Sequence, residues 1–258
     1  TATPAAASSP ATAPAPQAGE LTVFAAASLK ESFTEMGKLF EAANPGATVI
    51  FNFAGSQQLR AQLEQGAPAD VFASANKKEM DAAIASSLVV SGAQQIFARN
   101  RLIVIYPAAN PGQVAELADL AKPGLKLVIA DKAVPVGQYT LDMLDKMSQD
   151  PAFGADFTAQ VRKNVVSLEQ DVKAVVAKVQ LGEADAGVVY ATDAAAAGAA
   201  VTALQVPDQF NQLATYPIAA LTNAPLPDLA QKFVDFALSA AGQQVLVNYG
   251  FLPGGSQP

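Results

Sequence analysis

The chain contains no cysteine and no histidine in its 258 residues. Without cysteine there is no disulfide, no thiolate nucleophile and no Cys-ligated zinc or iron–sulfur centre. Without histidine the commonest general base and the commonest transition-metal ligand are missing. An enzyme built on this sequence would have to work with carboxylates, lysine, tyrosine or serine, so the composition favours binding over catalysis. No apolar run approaches the roughly 18–20 residues needed to cross a bilayer. Positive charge is also scarce: 16 Lys and Arg stand against 23 Asp and Glu, a net charge of −7. With no basic stripe to neutralise phosphates, nucleic acid is excluded as a partner. An anionic ligand would have to be held by local donors, because the long-range field opposes it. What the chain does have is apolar side chain, 51% of residues, enough for one large domain or two lobes of ordinary size.

Residues 1–19 hold only Ala, Pro, Ser and Thr with one Gln and one Gly. With no large apolar side chain to offset its ordering entropy, this stretch is expected to be a flexible tether, a spacer between a membrane anchor and the folded body. From Glu20 the pattern changes. Residues 21–25 form an apolar strand, and Phe33, Met36, Leu39 and Phe40 follow at helical spacing until Asn44-Pro45-Gly46 stops them. A strand at 48–53, a helix carrying Leu59 and Leu63, a strand at 70–73 and a helix at 77–85 complete a run of right-handed βαβ units on a parallel sheet. Further strands are expected at 102–106, 125–130, 165–166, 186–189 and 216–221. Helices are expected at 140–147, 157–163 and 172–181, and a last one at 228–247 with a step at Gly242. These are more βα units than one small sheet needs. Two α/β lobes are expected, the first from 20–98 and 216–258, the second from 99–215.

Four strand-to-helix or loop-to-helix junctions carry the chemistry. Ser28 follows three alanines at the end of a strand, and Glu31 three residues on suggests a capping box that puts Ser28 at a helix N-terminus. Ser56 repeats the arrangement after Phe53-Ala54-Gly55. In open α/β sheets, ligands bind outside the carboxyl ends of strands. Val134-Pro135-Val136-Gly137 and Asp171-Val172-Lys173 are loop-to-helix transitions: Pro135 stiffens the first, Gly137 leaves the Val136 N–H accessible, and Asp171 caps a helix that begins at Val172. Tyr190 ends a buried strand. Each has a structural alternative, a serine that only caps its own helix or a tyrosine that only fills the core. Together they offer hydroxyls and backbone N–H groups, the donors that a fully ionised tetraoxyanion requires, each such bond contributing roughly 1.5–3 kcal/mol. A protonated oxyanion such as phosphate would need an acceptor as well, and Asp171 keeps that question open.

The segments FAAASL, FAGSQQL, GAPADVFASA, VPVGQYT, DVKAVV and GVVYATDA, closed by GQQVLVNYGFLP, resemble in order and spacing the periplasmic molybdate-binding proteins of ABC transporters over about residues 20–251. The resemblance implies a type II periplasmic-binding-protein fold, two lobes joined by two crossing segments and closing on an anion without a metal cation or a positive side chain. It implies that Ser28 and Ser56 donate from the first lobe, that Val136 and Val172 give backbone N–H groups from the second, and that Tyr190 gives its hydroxyl. One departure is Gly55 and Gln57 flanking Ser56, where some relatives are richer in serine. Asp70, in GAPADVFASA, is expected to support the sheet beneath the cleft. The implied function is capture of molybdate or tungstate and delivery to a membrane permease. No catalysis and no cofactor are implied, and the protein is expected to be a monomer in the periplasm or on the cell surface as a lipoprotein. Hinges are expected near 98–100 and 214–216. The rival readings are a sulfate or thiosulfate binder differing in cavity size, a ferric-iron binder using Tyr190 and Tyr139, and a hydrolase using Ser28 or Ser56. The last has no histidine, and no lysine placed beside either serine, to activate a nucleophile.

Overall fold

The computed structural model describes residues 19–255, so the expected tether lies outside the described residues apart from Gly19, which opens the first strand instead. β1 (Gly19–Ala26) passes through a 3-10 turn at Ala27–Leu29 into α1 (Lys30–Ala43), which ends where Gly46 takes a positive φ of 92°. β2 (Ala47–Ala54), α2 (Ser56–Glu64), β3 (Val71–Ala73), α3 (Lys77–Ala85) and β4 (Gln95–Asn100) follow. The chain then builds β5 (Leu102–Pro107), β6 (Leu127–Ala130), α4 (Pro135–Ser148), α5 (Phe157–Lys163) and β7 (Val165–Glu169). After these come α6 (Val172–Gln180), β8 (Ala186–Tyr190), α7 (Ala191–Ala197) and β9 (Val201–Gln205). It returns through β10 (Ala214–Ala220), α8 (Pro227–Leu238), α9 (Ala240–Asn248) and β11 (Leu252–Pro253). Among the described residues no helix is long and apolar enough to cross a membrane.

These strands form two mixed sheets, one per lobe. The first runs β11-β4-β10-β3-β1-β2 and the second β7-β6-β8-β5-β9. β1 is parallel to β2 and β3, and β6 is parallel to β7 and β8, as the βαβ pattern predicts. The antiparallel portions, β10 with β3 and β4, β11 with β4, and β5 with β8 and β9, rest largely on elements that sequence periodicity misses. β4 and β9 interleave polar and apolar residues irregularly, and α7 is almost all alanine, so none shows a clean period of 2 or 3.6. The chain passes between the sheets twice, at Arg101 and between β9 and β10. Both passages flank one place, because Asn100 pairs with Ala214, Arg99 with Thr215 and Ala98 with Tyr216.

Aromatic packing ties the C-terminal return to the first lobe. Phe33 of α1 lies 5.6 Å from Phe97 of β4 and 5.9 Å from Phe233 of α8, and Phe233 lies 5.2 Å from Phe40. Such pairs contribute about 0.5–1.5 kcal/mol each beyond the area they bury. The second lobe is filled by aliphatic side chains instead, including Val104, Leu127, Val175 and Val188. The C-terminal helix breaks at Ser239, not at Gly242 as the sequence suggests. Ser239 is extended, and its Oγ accepts from the Gly242 N–H at 3.3 Å to cap α9. Gly242 serves close packing: a Cβ there would stand 2.2 Å from the Phe236 carbonyl oxygen.

Asp70 plays the supporting part expected of it. It is 1% exposed, and its two carboxylate oxygens accept from the Thr22 N–H and the Leu226 N–H, each at 2.8 Å. It thereby joins β1 to the approach to α8. Asp70→Ala leaves both amides unpaired, and the urea midpoint should fall by an amount equivalent to about 2–4 kcal/mol at unchanged slope.

Candidate functional site

A small cavity of about 10 Å³ lies between the lobes at the carboxyl ends of the strands. Ser28 and Ser56 line it from the first lobe, and Val136, Val172 and Tyr190 line it from the second. Ala26, Ala27, Ala54 and Ala75 make up much of the remaining wall, so the space is left by small side chains. A larger groove of about 640 Å³ runs along the outer side of the second lobe near β7, and none of these five residues reaches it.

Ser28 reaches the cavity by a different route from the expected capping box. β1 runs into the 3-10 turn, α1 begins only at Lys30, and its N-cap is Leu29 with no side-chain bond. Ser28 is therefore free of capping duty, and its Oγ lies 3.0 Å from the hydroxyl of Tyr216. Glu31, the other half of the expected box, reaches across to Lys173 of the second lobe instead. Ser56 is the first residue of α2, after a Gly55 N-cap whose N–H donates to Gln58 at 3.3 Å. The Ala75 N–H donates to the Ser56 Oγ at 3.0 Å, which leaves the serine's own proton for a ligand.

Val136 and Val172 stand in the first turns of α4 and α6, where N–H groups have no partner within the helix. α4 begins at Pro135, five residues before the expected start of this helix at 140, so the proline belongs to its first turn. Gly137 answers a different need from the one expected. A Cβ at that position would lie 2.0 Å from the Asp131 carbonyl oxygen, so the glycine lets α4 approach the end of β6. Asp171 caps α6 through Oδ1, which accepts from the Ala174 N–H at 3.0 Å. That oxygen is turned to its own helix. Tyr190 ends β8 and is 1% exposed. Its buried hydroxyl makes no hydrogen bond of standard geometry among the described residues, although it interacts with the Tyr216 hydroxyl, and burial pushes its pKa well above 10. A buried donor without a well-formed hydrogen bond calls for an explanation, and an acceptor in the cavity supplies one.

Two neighbours of the site escaped the sequence reading. Tyr216 lies 5.8 Å from Tyr190 ring to ring, and within β10 it is indistinguishable from a core residue. Lys173 pairs with Glu31 at 2.7 Å across the cleft and with buried Asp193 at 2.9 Å within its own lobe. Burial raises the Asp193 pKa to about 6, and Lys173 holds that rise back. Gln57 also crosses the cleft, donating to the Gln170 carbonyl at 2.9 Å. The lobes are thus closed on each other.

The arrangement supplies donors and no activated nucleophile. Ser28 faces a neutral phenol and Ser56 an amide donor, so neither serine has a base. Tyr139, expected as a possible iron ligand, is mostly buried with its oxygen on the Thr215 N–H, and burial pushes its pKa to about 12. Among the described residues no group of three or more Asp or Glu side chains could hold a metal ion.

Comparison with known proteins places the chain among transport proteins. The family described as bacterial extracellular solute-binding protein matches residues 21–252. The molybdate-binding protein ModA of Mycobacterium tuberculosis is 40% identical over 95% of this chain and 88% of its own. The molybdate-binding protein ModA of Haemophilus influenzae is 32% identical over 90% of this chain and 89% of its own. Among solved structures, the periplasmic molybdate-binding protein of Azotobacter vinelandii superposes with a TM-score of 0.77 at 20% identity, over 90% of this chain and 98% of that one. The sulfate-binding protein SubI of Mycobacterium tuberculosis gives 0.81 at 18% identity, over 91% and 86%. At such identities these two structures bear on the fold alone, which is that of the type II periplasmic binding proteins.

The Lys173–Glu31 pair bridges the lobes, so it stabilises closure rather than either lobe by itself. Both side chains are partly exposed, at 26% and 37%, which keeps the contribution small. Glu31→Gln should weaken ligand binding roughly two- to threefold at low salt. Calorimetry should show the difference from the parent fading as salt rises, with the melting temperature of the unliganded protein unchanged.

Proposed function

The chain belongs to the bacterial extracellular solute-binding proteins, and from that premise we propose that it captures molybdate for an ABC importer and delivers it to the membrane permease. The observation that carries this reading is a cavity on which five donor residues converge, with Asp171 also in its lining and its Oδ1 committed to the cap of α6. Ser28 and Ser56 hydroxyls face the N–H groups of Val136 and Val172 and the buried hydroxyl of Tyr190. A fully ionised tetraoxyanion has acceptors only, and each charged hydrogen bond contributes roughly 1.5–3 kcal/mol toward offsetting its lost hydration. The five donor groups are uncharged, so local hydrogen bonds rather than the net −7 of the chain supply the attraction. The curated relatives named for molybdate favour that anion over sulfate. Tungstate presents the same acceptors at nearly the same size and belongs to the same reading.

In this reading the first lobe, expected from 20–98 and 216–258, takes in all of β4 and β10 and so runs to Asn100 and resumes at Ala214. The two lobes open and close about residues 98–100 and 214–216. These segments are paired neighbours in β4 and β10, which lets one local change in twist move both crossings together. The anion docks on the first-lobe serines, the second lobe completes the shell, and the closed form is what the permease recognises. No bond is made or broken, and no cofactor takes part. The protein acts as a monomer outside the cytoplasmic membrane, in the periplasm or tethered to the cell surface through its N-terminal segment.

Thermal shift and calorimetry with molybdate, tungstate, sulfate, phosphate and ferric citrate test the proposal. Molybdate at 100 times its Kd should stabilise the fold by about 2.7 kcal/mol. Stabilisation by sulfate or phosphate but not by molybdate would overturn the assignment. Ser28→Ala and Tyr190→Phe should each weaken molybdate binding by roughly tenfold or more, the loss of one charged hydrogen bond, while the unliganded fold is nearly unchanged.

A further inference from the structure

The residues on either side of Ser56 meet the second lobe directly, and both meet it at one atom. Gln57 Nε2 donates to the Gln170 carbonyl oxygen at 2.9 Å, across the cleft. A carbonyl only accepts, so the end of the Gln57 amide that faces it is the NH₂ end. Gly55 stands against the same oxygen: a Cβ there would lie 2.5 Å from it, closer than real Cβ contacts come. That Cβ would also lie 2.6 Å from the Gln57 amide, so a methyl group would disturb both contacts. The backbone at this position does not call for glycine, because its φ of −59° and ψ of 137° are open to any residue. What excludes a side chain is the opposing lobe.

Neither partner is free to yield. Gly55 is the N-cap of α2, and its carbonyl accepts from the Gln58 and Leu59 N–H groups at 2.9 and 3.0 Å. Gln170 links the end of β7 to Asp171, the cap of α6. On one side of it the Glu169 carbonyl accepts from the Asp131 N–H at 2.8 Å, and on the other Asp171 holds the Ala174 N–H at 3.0 Å. The contact lies next to Ser56 and just ahead of Val172, which line the cavity from opposite lobes. How far Gly55 lets Gln170 advance therefore sets how near those two residues come.

We propose that Gly55 and Gln57 are positioning residues for capture: Gly55 sets the stop at which the lobes close, and Gln57 latches them there. The consequence falls on escape of the ligand, not on its arrival. A ligand docks on the open first lobe, where neither contact exists, and leaves only after the closed state reopens. A methyl group at position 55 blocks the last part of closure without removing any group that faces the ligand. The latch is uncharged, so salt does not screen it as it screens the Lys173–Glu31 pair. This inference rests on the reading of the cleft as a closing oxyanion site and adds the residues that set its closed geometry.

Stopped-flow fluorescence with molybdate measures association and dissociation, and small-angle X-ray scattering measures closure. The chain has no tryptophan, and Tyr190 in the cavity wall supplies the signal. Gly55→Ala should speed dissociation roughly ten- to a hundredfold, the effect of forcing a methyl into filled space, with association changed by less than about twofold. At saturating molybdate its scattering should stay near that of the unliganded protein, whereas the parent contracts. Gln57→Met keeps the length of the side chain and loses the donor. Its dissociation should quicken roughly two- to tenfold, to the same extent at low and high salt. In the Gly55→Ala background the same substitution should add less than about twofold, because the lobes no longer come within reach of the latch. The melting temperature of unliganded Gly55→Ala should match the parent's. Parent-like dissociation and contraction in Gly55→Ala, or a loss confined to association, would overturn the stop. An equal fall in melting temperature with and without ligand would do the same, since it would make Gly55 a folding residue. Fully additive effects of the two substitutions would overturn their action at one point. Failure of the parent protein itself to bind molybdate would instead defeat the functional reading, and the two failures are thus told apart.

Discussion

A dianion stripped of water and held without a cation needs converging hydrogen-bond donors, and a hydroxyl serves only if its proton is free to point at the ligand. This constraint organises the interior between the lobes. Backbone amides satisfy it automatically, which is why two of the five cavity-facing groups are first-turn N–H groups of α4 and α6. Hydroxyls satisfy it only with help. Ser56 receives the Ala75 N–H, and Ser28 shares a hydrogen bond with the Tyr216 hydroxyl. Tyr190 keeps a hydroxyl without a well-formed hydrogen bond in the unliganded cavity, a cost in stability that a bound acceptor removes.

The same constraint reconciles the acidity of the chain with an anionic ligand. A positive side chain in the cavity would bind any anion strongly, but its attraction would depend on charge and not on the arrangement of oxygens. Lys173 stands beside the cleft without lining it, committed to Glu31 on one side and Asp193 on the other. Its charge is spent on holding the lobes together. The anion meets neutral dipoles whose directions are fixed by the fold, and direction is what distinguishes one oxyanion from another of equal charge.

Much of this was visible in the sequence, and the omissions have a physical pattern. The βαβ units are carried by local periodicity, so Phe33, Met36 and Phe40 revealed α1, and Leu59 and Leu63 revealed α2. The five cavity residues sit at strand-to-helix junctions marked by small residues, and all five reach one cavity. What local pattern could not supply was the purpose of residues whose partners are far along the chain. Ser28 and Glu31 looked like a capping box because they are three apart, yet their partners are Tyr216 and Lys173. Gly137 looked like an opening for a ligand, and it is a contact with the Asp131 carbonyl. Ser239 rather than Gly242 breaks the last helix, because the glycine is needed against Phe236. In each case the residue type was informative and the tertiary neighbour decided its meaning.

The turn where β8 enters α7 gathers these threads. Tyr190 lines the cavity, Thr192 accepts from Asn100 across the lobes, and Asp193 anchors Lys173. Thr192 and Asp193 belong to the second lobe, while Asn100 lies in the first-lobe strand β4 and Glu31 in the first-lobe helix α1. Closure therefore brings together Tyr190, the Asn100–Thr192 hydrogen bond and the ion pair that holds the cleft shut. A ligand that satisfies Tyr190 and Ser28 favours the geometry in which Asn100 meets Thr192 and Lys173 meets Glu31. A ligand that leaves one of its own protons unpaired loses part of that gain, and with it part of the bias toward the closed state. Selection of the anion and closure of the lobes are then not separate steps, because the groups that read the ligand's hydrogen-bonding pattern are bonded to the groups that join the lobes.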